Sequence, residues 1–462
     1  MKKRSDGMIM LWLGCVMFLL LGLAWQHVSP IAMGDFKVVY YSARCLIHHG
    51  DPYSEQDVLS VYQAEGRELP SEPALNRQVM TRYFYLPTAF TFTVPFALLG
   101  FGAGYVLWMI CSAGSLIVAA LLMFDLAAEF SPITSGLLLG VLLMGSFWLF
   151  MIGNSAAIVV SLCAIAAWCF VREKFVLAGI FCFAVSLALK PHDSGLVWLY
   201  FLLAGGIYRK RALQTLALLV VLCLPAVLWV MQVAPHWMQE MNANMDSFAG
   251  VGGITDPGPA GNAGINMDSF VQLQSAISIF WNEPRTYNPI TYGVCGLLLL
   301  VWAFITMRVR ASQSSLFVAL AAIAPLSMLP IYHMQHDAKL LLLTVPACAM
   351  LWARRGVVGW LALCVTSAGI LINGDIFTGL RILLTRHLSL SQTDLVGQTA
   401  TVVLTRPAPV ILMVMALFYL WVYVRTYRDE IVDRSVESLR NSRLTAIDQS
   451  MQPHSAGKGI SD

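Results

Sequence analysis

Long apolar runs alternate along the chain with short polar connectors, and most runs approach the length that crosses a bilayer. A helix needs roughly 20 apolar residues to cross the hydrocarbon layer, and an uncompensated charge at its centre costs about 2.5 to 3.5 kcal/mol. Charge-poor runs therefore predict transmembrane helices at 8–28, 103–124, 133–151, 155–171, 175–189, 194–207, 212–233, 288–307, 314–331, 339–353, 356–373 and 407–425. The first follows Lys2, Lys3 and Arg4. It is longer than the apolar stretch of a signal peptide, about 7 to 15 residues, and reads as an uncleaved span with the N-terminus inside.

The basic connectors Arg172/Lys174, Arg209/Lys210/Arg211, Arg308/Arg310, Arg354/Arg355 and Arg425/Arg428 fall at every second junction. The positive-inside rule assigns that set to the cytoplasm. Residues 84–100, interrupted by Pro87 and Pro95, then predict an interfacial or re-entrant piece, because an extra crossing would misplace one basic connector. The expectation is an all-α polytopic membrane protein of about twelve transmembrane helices with both termini cytoplasmic. Its transmembrane domain covers 1–425, with outer loops at 29–83, 234–286 and 374–406, and a polar tail, a short helix followed by disorder, covers 426–462.

Composition agrees: the chain is 58% hydrophobic and 12% charged, against about 25% charged in soluble proteins. The net charge of +3 is small and the basic residues are scattered, which excludes a nucleic-acid partner. Of the ten cysteines, nine sit inside apolar runs without CxxC spacing, so they read as small buried hydrophobes. Cys45 alone lies in a polar segment and is expected to be an accessible, unpaired thiol.

The outward segments carry the remaining chemistry. Phe36, Val39, Tyr40, Ala43, Leu46 and Ile47 recur at helical spacing and predict an amphipathic helix at the membrane surface, with Lys37, Tyr41, Arg44 and His48 on its other face. Gly50, Asp51 and Pro52 end it, and Asp35 stands just before its first turn. Asp35 has two compatible readings, an N-cap or a carboxylate able to take a proton from a hydroxyl. Short outer turns carry Gly153-Asn154-Ser155, Lys190-Pro191-His192-Asp193 and the stretch from Tyr332 to Lys339. Ionisable groups crowding the ends of spans point to function. His333, His336 and Asp337, at i, i+3 and i+4, could share a helical face, but they lack a complete ligand set and no metal is expected. The glycine-rich run at 249–264 reads as a flexible loop or lid, with no phosphate-loop motif.

Taken in order, Gly34-Asp35-Phe36 with Tyr40-Tyr41, Gly50-Asp51-Pro52-Tyr53, Phe84-Tyr85-Leu86-Pro87, Gly153-Asn154, Leu189-Lys190-Pro191 and His336-Asp337 running into Leu340–Pro346 resemble glycosyltransferase family 87. That family comprises polyprenyl-phosphate-mannose-dependent α-mannosyltransferases of the membrane type C superfamily. The resemblance spans residues 30–350 as dispersed blocks, with Gly-Asn-Ser where the family more usually has Gly-Asn-Gln, and without the family's tryptophan before the histidine region. It implies transfer of a hexose, mannose in the family, from a polyprenyl-phosphate donor to a lipid or glycan acceptor outside the bacterial inner (plasma) membrane, with no cofactor. Asp35 takes the place of the catalytic acidic residue. His336, His333, Lys339, Lys190 and Arg44 are expected to hold the donor phosphate, and Tyr41, Asp51, Asn154 and Asp337 to contact sugar or acceptor. The rival reading is a transporter or flippase of a lipid-linked sugar, which would place its binding residues at the bilayer midplane in repeated halves.

Overall fold

The computed structural model describes residues 2–29, 32–66, 82–253, 255–258, 269–385 and 394–451. Among the described residues the chain is helical throughout, with one isolated bridge between Phe270 and Met334. Five helices are long and apolar enough to cross a membrane: Lys2–Val28, Phe101–Ala127, Gly206–Val233, Pro284–Arg308 and Pro407–Ile431. Gly356–Ile372 and Asp375–Thr385, bent by 69°, make a sixth if taken as one span.

That is fewer than the apolar runs alone predict, for reasons visible in the breaks. The run at 133–151 divides at Gly145-Ser146 into Pro132–Met144 and Phe147–Ile152. The run at 339–353 begins as a 3-10 helix, Asp337–Thr344, before Val345–Ala353. Ala156–Arg172, Val176–Leu189 and Gln313–Ser327 are helices of 17 residues or fewer. Gln313–Ser327 is buried along nearly its whole length, so its neighbours rather than lipid surround it.

The molecule is apolar on the outside as well as within. Leu13, Leu20, Val220, Val221, Leu224, Leu297 and Leu300 are exposed on the long helices, as lipid-facing residues are. The first helix packs on Pro132–Met144 through glycines: a methyl group on Gly136 would overlap the Gly7 carbonyl, and one on Gly14 would overlap Gly140. Small residues at such crossings let helix backbones approach closely. At one end of the bundle Arg4 and Arg172 both pair with Asp125, and Arg172 also with Glu129. Asp35 and Asn154 lie at the opposite ends of those helices, since Gly34–Ile47 follows Lys2–Val28 and Asn154 precedes Ala156–Arg172.

Residues 87–97 form a 3-10 turn, Pro87–Ala89, and the eight-residue helix Phe90–Ala97. Eight residues rise only about 12 Å, too little to cross, as an interfacial or re-entrant piece requires. The amphipathic pattern from Phe36 yields the helix Gly34–Ile47, but it is covered on more sides than a surface helix would be. Tyr41 is buried, stacked on Phe101 at 5.8 Å and edge-on to Tyr62 at 4.8 Å. Cys45 is buried too, contrary to the expectation of an accessible thiol; burial, with Asp57 and Asp51 nearby, pushes it up to about 12. The last helix does not stop at residue 425 but runs as Pro407–Met451, since no Gly or Pro interrupts the sequence between Pro409 and Pro453. Residues 254 and 259–264 of the glycine-rich run, and 452–462 of the tail, lie outside the described residues.

Candidate active site

Three chain breaks bring a polar cluster together. Gly153, with φ 69°, ends the helix Phe147–Ile152 in the left-handed conformation that glycine adopts without strain. Asn154 follows, and its Oδ1 accepts the Ala156 N–H at 2.8 Å, opening the next helix. Pro191 at the start of Pro191–Leu203 holds Lys190 out of the helical conformation, at φ −146° and ψ 86°, between two helices. His333 to His336 run without helix, because this segment pairs with the chain at 269–273: Val271 N–H donates to His333 O at 3.2 Å and Gln335 N–H to Ser269 O at 2.8 Å. The helical face expected for His333, His336 and Asp337 therefore does not form, although all three remain close together.

Asn154 is the hub. Its Nδ2 donates to Asp35 Oδ2 at 2.6 Å and lies 3.2 Å from His336 Nε2, while Lys190 Nζ donates to its Oδ1 at 3.1 Å. The opposite amide orientation would set its oxygen against a carboxylate and its NH₂ against an ammonium, so the network fixes the assignment. It follows that His336 Nε2 accepts and the ring is neutral. Burial, the largest influence, also lowers the pKa of His336. Lys190 Nζ further donates to Asp337 Oδ1 at 3.2 Å and lies 3.9 Å from Asp193 Oδ2. Burial opposes its charge, but Asp337 and Asp193 prevail and hold the ammonium protonated. Burial likewise opposes the Asp337 carboxylate, and Lys190, the largest opposing influence, keeps it ionised.

Asp35 is not an N-cap. Met33 occupies that position without a side-chain capping bond, and Asp35 lies in the first turn, half-buried, bound to Asn154. The structure thus joins Asp35, Asn154, Lys190, His336, Asp337 and His333 in one cluster. Other expected residues stand elsewhere. Arg44 pairs with Glu65 at 3.1 Å and donates to the Ala97 carbonyl at 3.0 Å. Asp51 accepts the Tyr53 N–H at 2.8 Å within its own turn. Lys339 is buried one layer away, donating to Gly145 O at 2.6 Å and Asn373 O at 3.0 Å, with Asp375 at 3.6 Å, so it staples two helix breaks together. Three further residues, named within the sequence motifs without being given a role, stand at the cluster. Tyr85 accepts from Ser155 Oγ at 3.4 Å and feels the charges of Lys190, Asp35 and Asp337. His192 and Asp193 pack against His333. The crowded turn at 190–193 was the available signal for the last two.

A half-buried carboxylate beside a buried ammonium and a neutral imidazole can accept a proton on one side and stabilise an anion on the other. The family model for glycosyltransferase family 87 matches residues 83–331. That stretch holds Tyr85, Asn154, Lys190, His192 and Asp193, while Asp35 precedes it and His333, His336 and Asp337 follow it. No curated protein and no solved structure matches the chain significantly.

Proposed function

Because this chain belongs to glycosyltransferase family 87, we propose that it transfers a hexose, mannose in keeping with the sequence resemblance, from a polyprenyl-phosphate donor to a lipid or glycan acceptor. In this reading the chain crosses the inner membrane about twelve times, several times by helices too short to cross alone, and the cluster around Asn154 opens outward. The observation that carries it is the bond from Asn154 to Asp35 on one side and from Lys190 to Asn154 on the other, which sets a base and a cation side by side.

Asp35 takes the proton of the acceptor hydroxyl as that oxygen attacks the anomeric carbon. The bond from that carbon to the phosphate oxygen breaks, the electron pair leaves with the polyprenyl phosphate, and the configuration inverts. A positioned base is worth typically about 10² to 10⁴ in rate. Negative charge grows on the leaving phosphate, and Lys190 stabilises it; two of its hydrogens are engaged by Asn154 and Asp337, leaving the third for the donor. His336 adds a neutral donor through Nδ1, since its Nε2 is engaged by Asn154. The rings of Tyr85 and Tyr332 stand close enough to this cluster to feel its charges and offer apolar faces to a sugar. Asp51, Arg44, Tyr41 and Lys339 support the surrounding loops and helix breaks instead of touching the donor.

Purified protein incubated with labelled polyprenyl-phosphate mannose and an acceptor lipid tests this directly. A transferase releases polyprenyl phosphate and labels the acceptor in detergent, with no second compartment. A transporter does neither, so unchanged donor after long incubation with a range of acceptors would reject the reading.

A further inference from the structure

Beside the Asn154 hub lies a second group of side chains that the transfer chemistry leaves unused. His192, Asp193 and His333 bring their ligand atoms within 4.8 Å of one another. His333 Nε2 is 3.1 Å and His192 Nε2 3.5 Å from Asp193 Oδ1, and the two imidazole centroids are 5.1 Å apart. We propose that His192, Asp193 and His333 form a binding site for one divalent transition-metal ion of the zinc type.

The hydrogen bonding is incomplete in a way that such an ion would complete. His333 Nδ1 lies 3.1 Å from the Ile331 carbonyl, which can only accept, so Nδ1 carries a hydrogen and Nε2 faces the carboxylate. Metal-ligating histidines use this arrangement, in which a carbonyl holds one ring nitrogen and aims the other. Yet Nε2 is not aligned for a hydrogen bond to Asp193, despite the short separation. Among the described residues, neither oxygen of Asp193 accepts a hydrogen bond, although His333 and Asp193 are 0% and 2% exposed. Leaving buried polar atoms of this kind unpaired is costly. An ion placed off the line between nitrogen and oxygen would meet both lone pairs.

Distance and charge agree. Ligand atoms about 2.0 to 2.1 Å from a tetrahedral ion stand about 3.3 to 3.4 Å from one another, and Asp193 Oδ1 lies 3.1 and 3.5 Å from the two ring nitrogens. Asp193 and Asp337 share the single ammonium of Lys190, so two carboxylates stand against one lysine in this cluster. Two imidazoles and one carboxylate suit zinc better than magnesium or calcium, which prefer oxygen. Three protein ligands leave a fourth position for water or an anionic oxygen. The site also ties the start of Pro191–Leu203 to the segment before Asp337–Thr344. Binding needs no sugar donor, so the inference stands independently of the transfer reaction.

The full chain, purified without a histidine tag, is stripped with a chelator and titrated with zinc against a competing indicator. One zinc per chain is expected, with X-ray absorption showing nitrogen and oxygen neighbours at about 2.0 to 2.1 Å and no sulfur at about 2.3 Å. Loss of a supporting outer-shell group typically weakens metal sites 10- to 100-fold, so removing a ligand should weaken this one at least about a hundredfold. His192→Ala is the variant of choice because that side chain is 36% exposed and its loss leaves no core cavity. His333→Ala and Asp193→Asn should behave alike where they fold. Absence of zinc binding by the unaltered chain, a sulfur shell, or unweakened binding by His192→Ala would each overturn the assignment.

Discussion

Asn154 donates to Asp35 across 2.6 Å while the same side chain accepts from Lys190 at 3.1 Å, so one neutral amide joins a carboxylate to an ammonium. A direct ion pair would have tied Asp35 to Lys190 and blunted both. With the amide between them, the carboxylate keeps a lone pair free for an incoming hydroxyl. Lys190 is held charged by Asp337 and Asp193 instead.

Removing that amide should therefore act on catalysis more than on folding. Asn154→Ala loses hydrogen bonds to two charged groups, each worth about 1.5 to 3 kcal/mol. We predict a fall in kcat of roughly tenfold or more, in a protein that still elutes as a monodisperse peak. Unchanged kcat in Asn154→Ala would show that the hub is dispensable.

The Lys190–Asp337 pair makes a prediction about stability. Both side chains are buried, 7% and 3% exposed, at 3.2 Å. Removing one partner of such a pair typically costs about 3 to 5 kcal/mol, because a charge is left alone in a poor solvent for it. Lys190→Met should lower the apparent melting temperature in detergent markedly, and adding Asp337→Asn should recover part of the loss. A double variant no more stable than the single one would contradict this account.

Much of this was legible in the sequence, and the misses share physical causes. The apolar runs located the helices because burial in lipid or in protein demands the same residue types. For that reason the runs could not say which helices are long enough to meet lipid alone, as the break at Gly145-Ser146 illustrates. Asp35, Asn154, Lys190 and His336 stood out as polar residues at the ends of spans, and they converge. Periodicity placed Tyr41 and Arg44 on a polar helix face, but it carries no information on what covers that face. Phe101 covers Tyr41, and Glu65 with the Ala97 carbonyl takes Arg44. The spacing of His333, His336 and Asp337 fits a helix, yet pairing with residues 269–273 straightens the segment. Such long-range pairing has no local signature.

Orientation can be tested with thiol chemistry, using a site other than Cys45. That thiol is buried and raised to about 12, so it should resist an impermeant maleimide. Ser60 is exposed on the helix Glu55–Ala64 of the first loop. In intact cells Ser60→Cys should label within minutes and the unaltered chain should not. Labelling of Ser60→Cys only after the cells are permeabilised would place this loop, and the cluster with it, on the cytoplasmic side.

The most direct measurement is the turnover of Asp35→Asn. Asparagine at 35 can still present an oxygen to the Asn154 amide, and Asp35 makes no capping bond to lose, so the fold and donor affinity should survive. An amide is a very poor base at neutral pH, so a catalytic Asp35 predicts turnover down by at least about a hundredfold with saturating lipid donor. Asp35→Ala should be equally inactive, and less stable because the buried Asn154 amide loses its acceptor. Turnover of purified Asp35→Asn within a few-fold of the unaltered chain would contradict the assignment of Asp35 as the base.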